Sequence, residues 1–178
     1  MANLAKYLAD FEQAGGAVLA KEQEFEFDLG LAHVRGKVDR IEKLSDGSVL
    51  IVDLKTGKTL PTAAEAEKNA QLGLYQVAFQ NGAFKEALIS EDDSQQELDL
   101  AGAKLLLVAG DSPAIRNQTS VAGAPDLEAY FENLIQESAA GMAMPDNLFI
   151  ARVSSHCDAE NEYGTCSLHL RRAVSYAD

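Results

Sequence analysis

The stretch Val49-Leu50-Ile51-Val52-Asp53-Leu54-Lys55-Thr56-Gly57-Lys58 runs from apolar and β-branched residues straight into Asp, Leu and Lys, then into a Thr-Gly turn. Such a run reads as a buried strand. Residues two apart in a strand point to one face, so Asp53 and Lys55 project together. A carboxylate beside an ammonium at the end of a buried strand is costly unless it has a task. The residue types suggest one: Asp53 to hold a divalent metal, Lys55 to stabilise a negative species.

A second acid, Asp39, stands upstream in Gly36-Lys37-Val38-Asp39-Arg40-Ile41. Between the acids lies Ser45-Asp46-Gly47-Ser48, a turn signal flanked by strand-like runs. The acids therefore fall on neighbouring strands of a hairpin, where cross-strand neighbours can share one ion. Further upstream, Leu4, Tyr7, Leu8 and Phe11 recur at helical spacing, predicting a helix over 3–14 closed by Gly15-Gly16. A strand over 17–29 follows, with Phe25, Phe27 and Leu29 alternating against Glu24, Glu26 and Asp28. After Gly30 come the strand over 31–42 with Asp39 and the strand over 48–54, completing a three-stranded meander.

Downstream, Thr62 followed by Glu65 fits a capping box and predicts a helix from about Pro61 to Gln80. Gln71 and Tyr75 are spaced i, i+4 on it and share a face. Residues 91–99 read as a polar loop, 103–109 as a buried strand and 115–121 as an edge strand. Pro125-Asp126 opens a last helix, whose stripe of Leu127, Tyr130, Phe131, Leu134 and Ile135 predicts core.

The constellation G-x-V-D-R-I-E, a hairpin, V-D-L-K-T-G-K and then Gln71-Leu72-Gly73-Leu74-Tyr75 resembles the PD-(D/E)xK nuclease superfamily, and within it the RecB-like branch. The resemblance covers residues 20 to 82 best. It implies an α/β fold of the restriction endonuclease-like kind: a mixed central sheet with αβββαβ order and flanking helices. It also implies a metal-dependent deoxyribonuclease. Asp39, Asp53 and the Leu54 carbonyl would hold Mg²⁺ or Mn²⁺, Lys55 would be catalytic, and Gln71 and Tyr75 would position the metal shell or the phosphate. Arg40 and Lys58 are candidate contacts to the DNA backbone. In this branch the domain sits at the C-terminus of UvrD/Rep- or RecB-type, AdnB-like repair helicases, so the implied partner is DNA delivered by a helicase motor. The competing expectation is a catalytically silent nuclease-like module that positions DNA or mediates assembly.

The sequence departs from the branch in two places. A His or Glu usually precedes the meander and completes the metal site; here the only earlier histidine is His33, on the Asp39 strand, with Glu24 a poor stand-in. The tail, Phe149-Ile150-Ala151-Arg152 and then Cys157 and Cys166, looks like the segment that carries a cysteine cluster. Two thiolates fall short of the usual four, so no iron–sulfur cluster is expected. A zinc site from His156, Cys157, Cys166 and His169 has a spacing that fits no common finger.

Composition sets the outer bounds. At 178 residues the chain is expected to be one domain, a fragment of a larger helicase–nuclease. It is 47% hydrophobic and 24% charged, as globular proteins are. No membrane-spanning run or signal peptide is evident, making the cytoplasm the expected location. No G-x-x-x-x-G-K-[ST] loop occurs, so this chain is not expected to hydrolyse ATP itself. The net charge of −13 opposes direct capture of nucleic acid. It suits a domain to which other parts deliver the DNA, and on its own the chain is expected to cut poorly.

Overall fold

The computed structural model describes residues 2–88, 98–108 and 114–146. Ten elements follow in chain order: α1 (Ala2–Gln13), β1 (Ala17–Leu29), β2 (Ala32–Lys43), β3 (Val49–Lys55), α2 (Ala63–Glu67), α3 (Ala70–Gln80), α4 (Lys85–Leu88), β4 (Leu100–Leu107), β5 (Ala114–Gln118) and α5 (Pro125–Ala143). All lie in one compact unit, Met1–Ala143; a second spans Met144–Asp178. The strands form one sheet in the order β1-β2-β3-β4-β5. The β3–β4 pair is parallel and the others antiparallel. This is the expected mixed sheet flanked by helices. Among the described residues no helix is long and apolar enough to cross a membrane.

Alternation decides which faces are covered. On β1, Phe25 and Phe27 are buried while Glu24, Glu26 and Asp28 are exposed. Together with Val38, Ile41, Val49, Ile51, Leu105, Leu72, Tyr75 and Phe131 they form the main core between the sheet and α3 and α5. Close approach there needs glycine. A Cβ on Gly73 would fall 2.1 Å from the Phe131 ring, and one on Gly36 would fall 2.8 Å from the Phe25 ring. On the opposite face, Tyr7 of α1 packs with Val52 and Leu106, and the Tyr7 and Phe11 rings stack 6.2 Å apart.

The helix expected over 61–80 is two helices. The Thr62–Glu65 capping box is present at the start of α2. At Asn69 the chain leaves helical geometry, and the Asn69 side chain accepts the Leu72 N–H at 3.0 Å to cap α3. The carbonyls at the break are also met from β5. Gln118, buried, donates through Nε2 to the carbonyl oxygens of Ala66, Glu67 and Asn69 at 3.0, 3.2 and 3.0 Å. The α5 stripe enters the core in part. Phe131 is fully buried, Leu127 and Ile135 pack against the main core, and Tyr130 stays 42% exposed, with the Lys68 ammonium 5.9 Å from its ring centre. Residues 91–97 of the expected polar loop, together with His156, Cys157, Cys166 and His169, lie outside the described residues.

Candidate active site

The β2–β3 ladder runs from Lys43 opposite Val49 to Arg40 opposite Val52. One step further along that register sets Asp39 opposite Asp53. The ladder stops there because the Asp39 side chain takes over as acceptor: its Oδ2 receives the Leu54 N–H at 2.7 Å. On the other side, Lys21 pairs with Arg40 and Gln23 with Val38, leaving Glu22 and Asp39 facing each other without a bridge. Of the residues of β2, Asp39 alone has no ladder partner on either side. Val38 and Ile41 both enter the main core, although residues three apart on a regular strand face opposite ways. The strand therefore changes face at Asp39.

Asp53 is 2% exposed. Its Oδ2 lies 2.8 Å from Lys55 Nζ, yet that contact is not aligned as a hydrogen bond and the atom is otherwise without one. Burial pushes the Asp53 carboxyl above the usual carboxylate range; the Lys55 ammonium opposes the shift and the Asp39 charge adds to it. Lys55 Nζ also donates to Gln71 Oε1 at 2.8 Å. Gln71 Nε2 donates to Tyr75 Oη at 2.7 Å, and Tyr75 Oη donates to the Lys37 carbonyl at 3.2 Å. The chain of contacts thus runs from Asp53 through Lys55, Gln71 and Tyr75 back to β2. Burial raises the Tyr75 phenol, and the charges of Asp53 and Asp39 push the same way against the Gln71 bond.

All the expected site residues therefore meet. Asp39, Asp53 and Lys55 arrive on adjacent strands, and α3 brings Gln71 and Tyr75 over them because they are one helical turn apart. Leu54 takes part through its N–H. His33 and Glu24 do not join: His33 Nδ1 bonds Asp28 at 2.8 Å near the hairpin end, and Glu24 is exposed on β1. Arg40 is not a surface cation. It is 7% exposed, its Nε bonded to Glu42 Oε1 at 2.5 Å on the α1 side of the sheet.

As a metal centre the pocket offers hard oxygen donors. Two carboxylates, one with a buried oxygen lacking an aligned hydrogen bond, fit a small divalent cation that keeps waters or phosphate oxygens in its remaining positions. Among the described residues no group of three or more His, Cys, Asp and Glu side chains gathers to hold an ion.

Residues 1–167 match the PD-(D/E)XK nuclease superfamily. The chain belongs to that superfamily. Among solved structures, the crystal structure of SSO0001 is similar at 16% sequence identity, covering 82% of this chain and 68% of that one with a TM-score of 0.38. Among curated proteins no relative matches. Membership agrees with the mixed sheet and gives the strand-end acids of this superfamily member a context in nuclease chemistry. Two contributors had no signal in the sequence: Glu22, a strand glutamate among several, and the Lys37 carbonyl, a backbone atom.

Proposed function

We propose that the chain is a metal-dependent deoxyribonuclease domain of the RecB-like branch, hydrolysing DNA phosphodiester bonds as part of an ATP-dependent helicase–nuclease in repair or recombination. The observation that supports this best is the apposition of Asp39 and Asp53 under a lysine that reaches from one of them to Gln71. Asp39 and Asp53 would hold Mg²⁺ or Mn²⁺, with the Leu54 carbonyl beside them. Bound there, the ion would supply an activated water and neutralise phosphate charge. Lys55, partly exposed while Asp53 lies beneath it, has its ammonium where it can orient that water or meet charge developing on the phosphate. Gln71 fixes the Lys55 ammonium, and Tyr75 fixes Gln71 and ties α3 to β2, so the lysine is held before substrate arrives.

The second reading, a silent module that positions DNA or mediates assembly, is favoured by one observation: among the described residues no third ligating side chain joins Asp39 and Asp53. One pair of measurements separates the two. Calorimetry with Mn²⁺ is expected to show binding by the wild type and none by Asp53→Ala. Single-stranded DNA with Mn²⁺ is expected to be cut slowly by the wild type and not by Lys55→Ala. Binding without any cleavage would select the silent module, and equal Mn²⁺ binding by both proteins would remove the site.

A further inference from the structure

Glu22 is the only non-glycine among the described residues with a positive φ, 49°. This is the left-handed region, where an L side chain is disfavoured and glycine is not. It sits across from Asp39, where the β1–β2 ladder skips a pair without changing register. Its carboxylate is engaged: Oε2 lies 2.7 Å from Lys37 Nζ. Lys37 is two residues from Asp39, and its carbonyl receives the Tyr75 hydroxyl.

Stability does not account for this arrangement. The Glu22 and Lys37 side chains are 64% and 50% exposed, and exposed ion pairs contribute little. The backbone conformation itself is unfavourable for glutamate. What the pair does have is position. Asp39 lacks ladder partners, so its backbone is held by its neighbours in sequence: beyond their own ladder pairs, Arg40 is fixed by the buried Glu42 on one side and Lys37 by Tyr75 and Glu22 on the other.

We infer that Glu22 is a positioning residue of the nuclease site: by clamping Lys37 across the interrupted ladder, it holds the turn in β2 that aims Asp39 at Asp53. The inference rests on the reading of Asp39 and Asp53 as the metal-holding pair. Glu22 has no contact with the reacting atoms and acts through Lys37.

The test uses the full 178-residue chain, Mn²⁺ calorimetry and thermal melting. Glu22→Gly relieves the backbone while deleting the carboxylate. Its melting temperature is expected to equal or exceed that of the wild type, while its Mn²⁺ affinity falls roughly tenfold or more, the size of effect seen when groups supporting a metal ligand are removed. Lys37→Ala is expected to weaken Mn²⁺ binding similarly. The exchanged double variant, Glu22→Lys with Lys37→Glu, is expected to recover most of the affinity. A rise in stability with a loss of affinity is an outcome a merely structural residue would not give. Wild-type affinity in Glu22→Gly, or no recovery in the exchanged pair, would overturn the inference and leave the metal site standing. Absence of Mn²⁺ binding in the wild type would overturn the metal reading itself, and this inference with it.

Discussion

Glu42 has no exposed surface and faces two cations. Arg40 Nε meets its Oε1 at 2.5 Å and Lys104 Nζ approaches its Oε2 at 3.4 Å, while the Tyr7 hydroxyl donates to Oε2 at 2.6 Å. The rings of α1 complete the enclosure, with the Lys104 ammonium 4.4 Å from the Tyr7 centroid and the Arg40 guanidinium 5.4 Å from that of Phe11. Burial pulls the Lys104 ammonium below its usual range, against the pull of Glu42, and pushes the Tyr7 phenol up. Removing the single anion strands two buried cations, so Glu42→Ala is expected to cost about 3–5 kcal/mol, the usual penalty for breaking a buried pair. Urea unfolding checks this, and a loss under about 1 kcal/mol would mean that water already enters the cluster. Because Arg40 adjoins Asp39, the same cluster anchors the site from behind. The grouping of the candidate residues was largely legible: Asp53 and Lys55 from period two and Asp39 from the hairpin, while i, i+4 spacing put Gln71 and Tyr75 on one face and the family resemblance set that face over the acids. Arg40, expected as a contact to the DNA backbone, is instead buried against Glu42 and the Phe11 ring. The Tyr7 and Lys104 side chains that close the cluster around Glu42 come from elements remote in sequence, which no local pattern brings together.

At the scale of elements, the break between α2 and α3 is held by a side chain from the other end of the sheet. Gln118 shares its two amide hydrogens among the three carbonyls at the break, and its own Oε1 accepts from Gln76 at 2.8 Å. Gln76, with no exposed surface, donates again to the Thr119 carbonyl at 3.0 Å and accepts the Val121 N–H at 3.0 Å. Two buried amides thus lock α3 to the segment after β5. Gln118→Ala takes this donor from the Glu67 carbonyl and an acceptor from the buried Gln76 amide, while the Ala66 and Asn69 carbonyls keep the Asn69 and Gly73 N–H groups, and a loss of about 1–3 kcal/mol in urea unfolding is expected. A change below about 0.5 kcal/mol would show that the break is closed by something else. This explains what the sequence withheld about the fold. The capping box, the alternating β1 and the β2–β3 hairpin are local signals, and each sits where the pattern put it. The split helix is a tertiary event: Asn69 offers a cap, but the break becomes favourable only when Gln118 arrives from β5. On the α5 stripe, periodicity rightly set Phe131, Leu127 and Ile135 against the core, but it could not say how deeply each is covered, and Tyr130 stays exposed.

For the whole molecule, the balance of charge sets how DNA reaches the site. A net charge of −13 repels a polyanion, and the repulsion extends about 30 Å at 0.01 M salt but only about 10 Å at 0.1 M. Proteins that capture DNA through basic surfaces behave oppositely, their affinity falling steeply as salt displaces the counterion-release gain. The cations near the site do not form such a surface. Lys55 is held by Asp53 and Gln71, Lys37 is held by Glu22, and Arg40 is buried. Under the proposed function, cleavage of single-stranded DNA by the isolated chain should therefore be slow at about 0.01 M salt. Raising the salt to about 0.1 M should speed it or leave it unchanged, as screening shortens the repulsion. Initial rates with Mn²⁺ across that range, at a fixed low DNA concentration, measure this directly. A rate that falls about tenfold or more over the range would reveal a basic capture surface outside the described residues, and delivery by a motor would no longer be required.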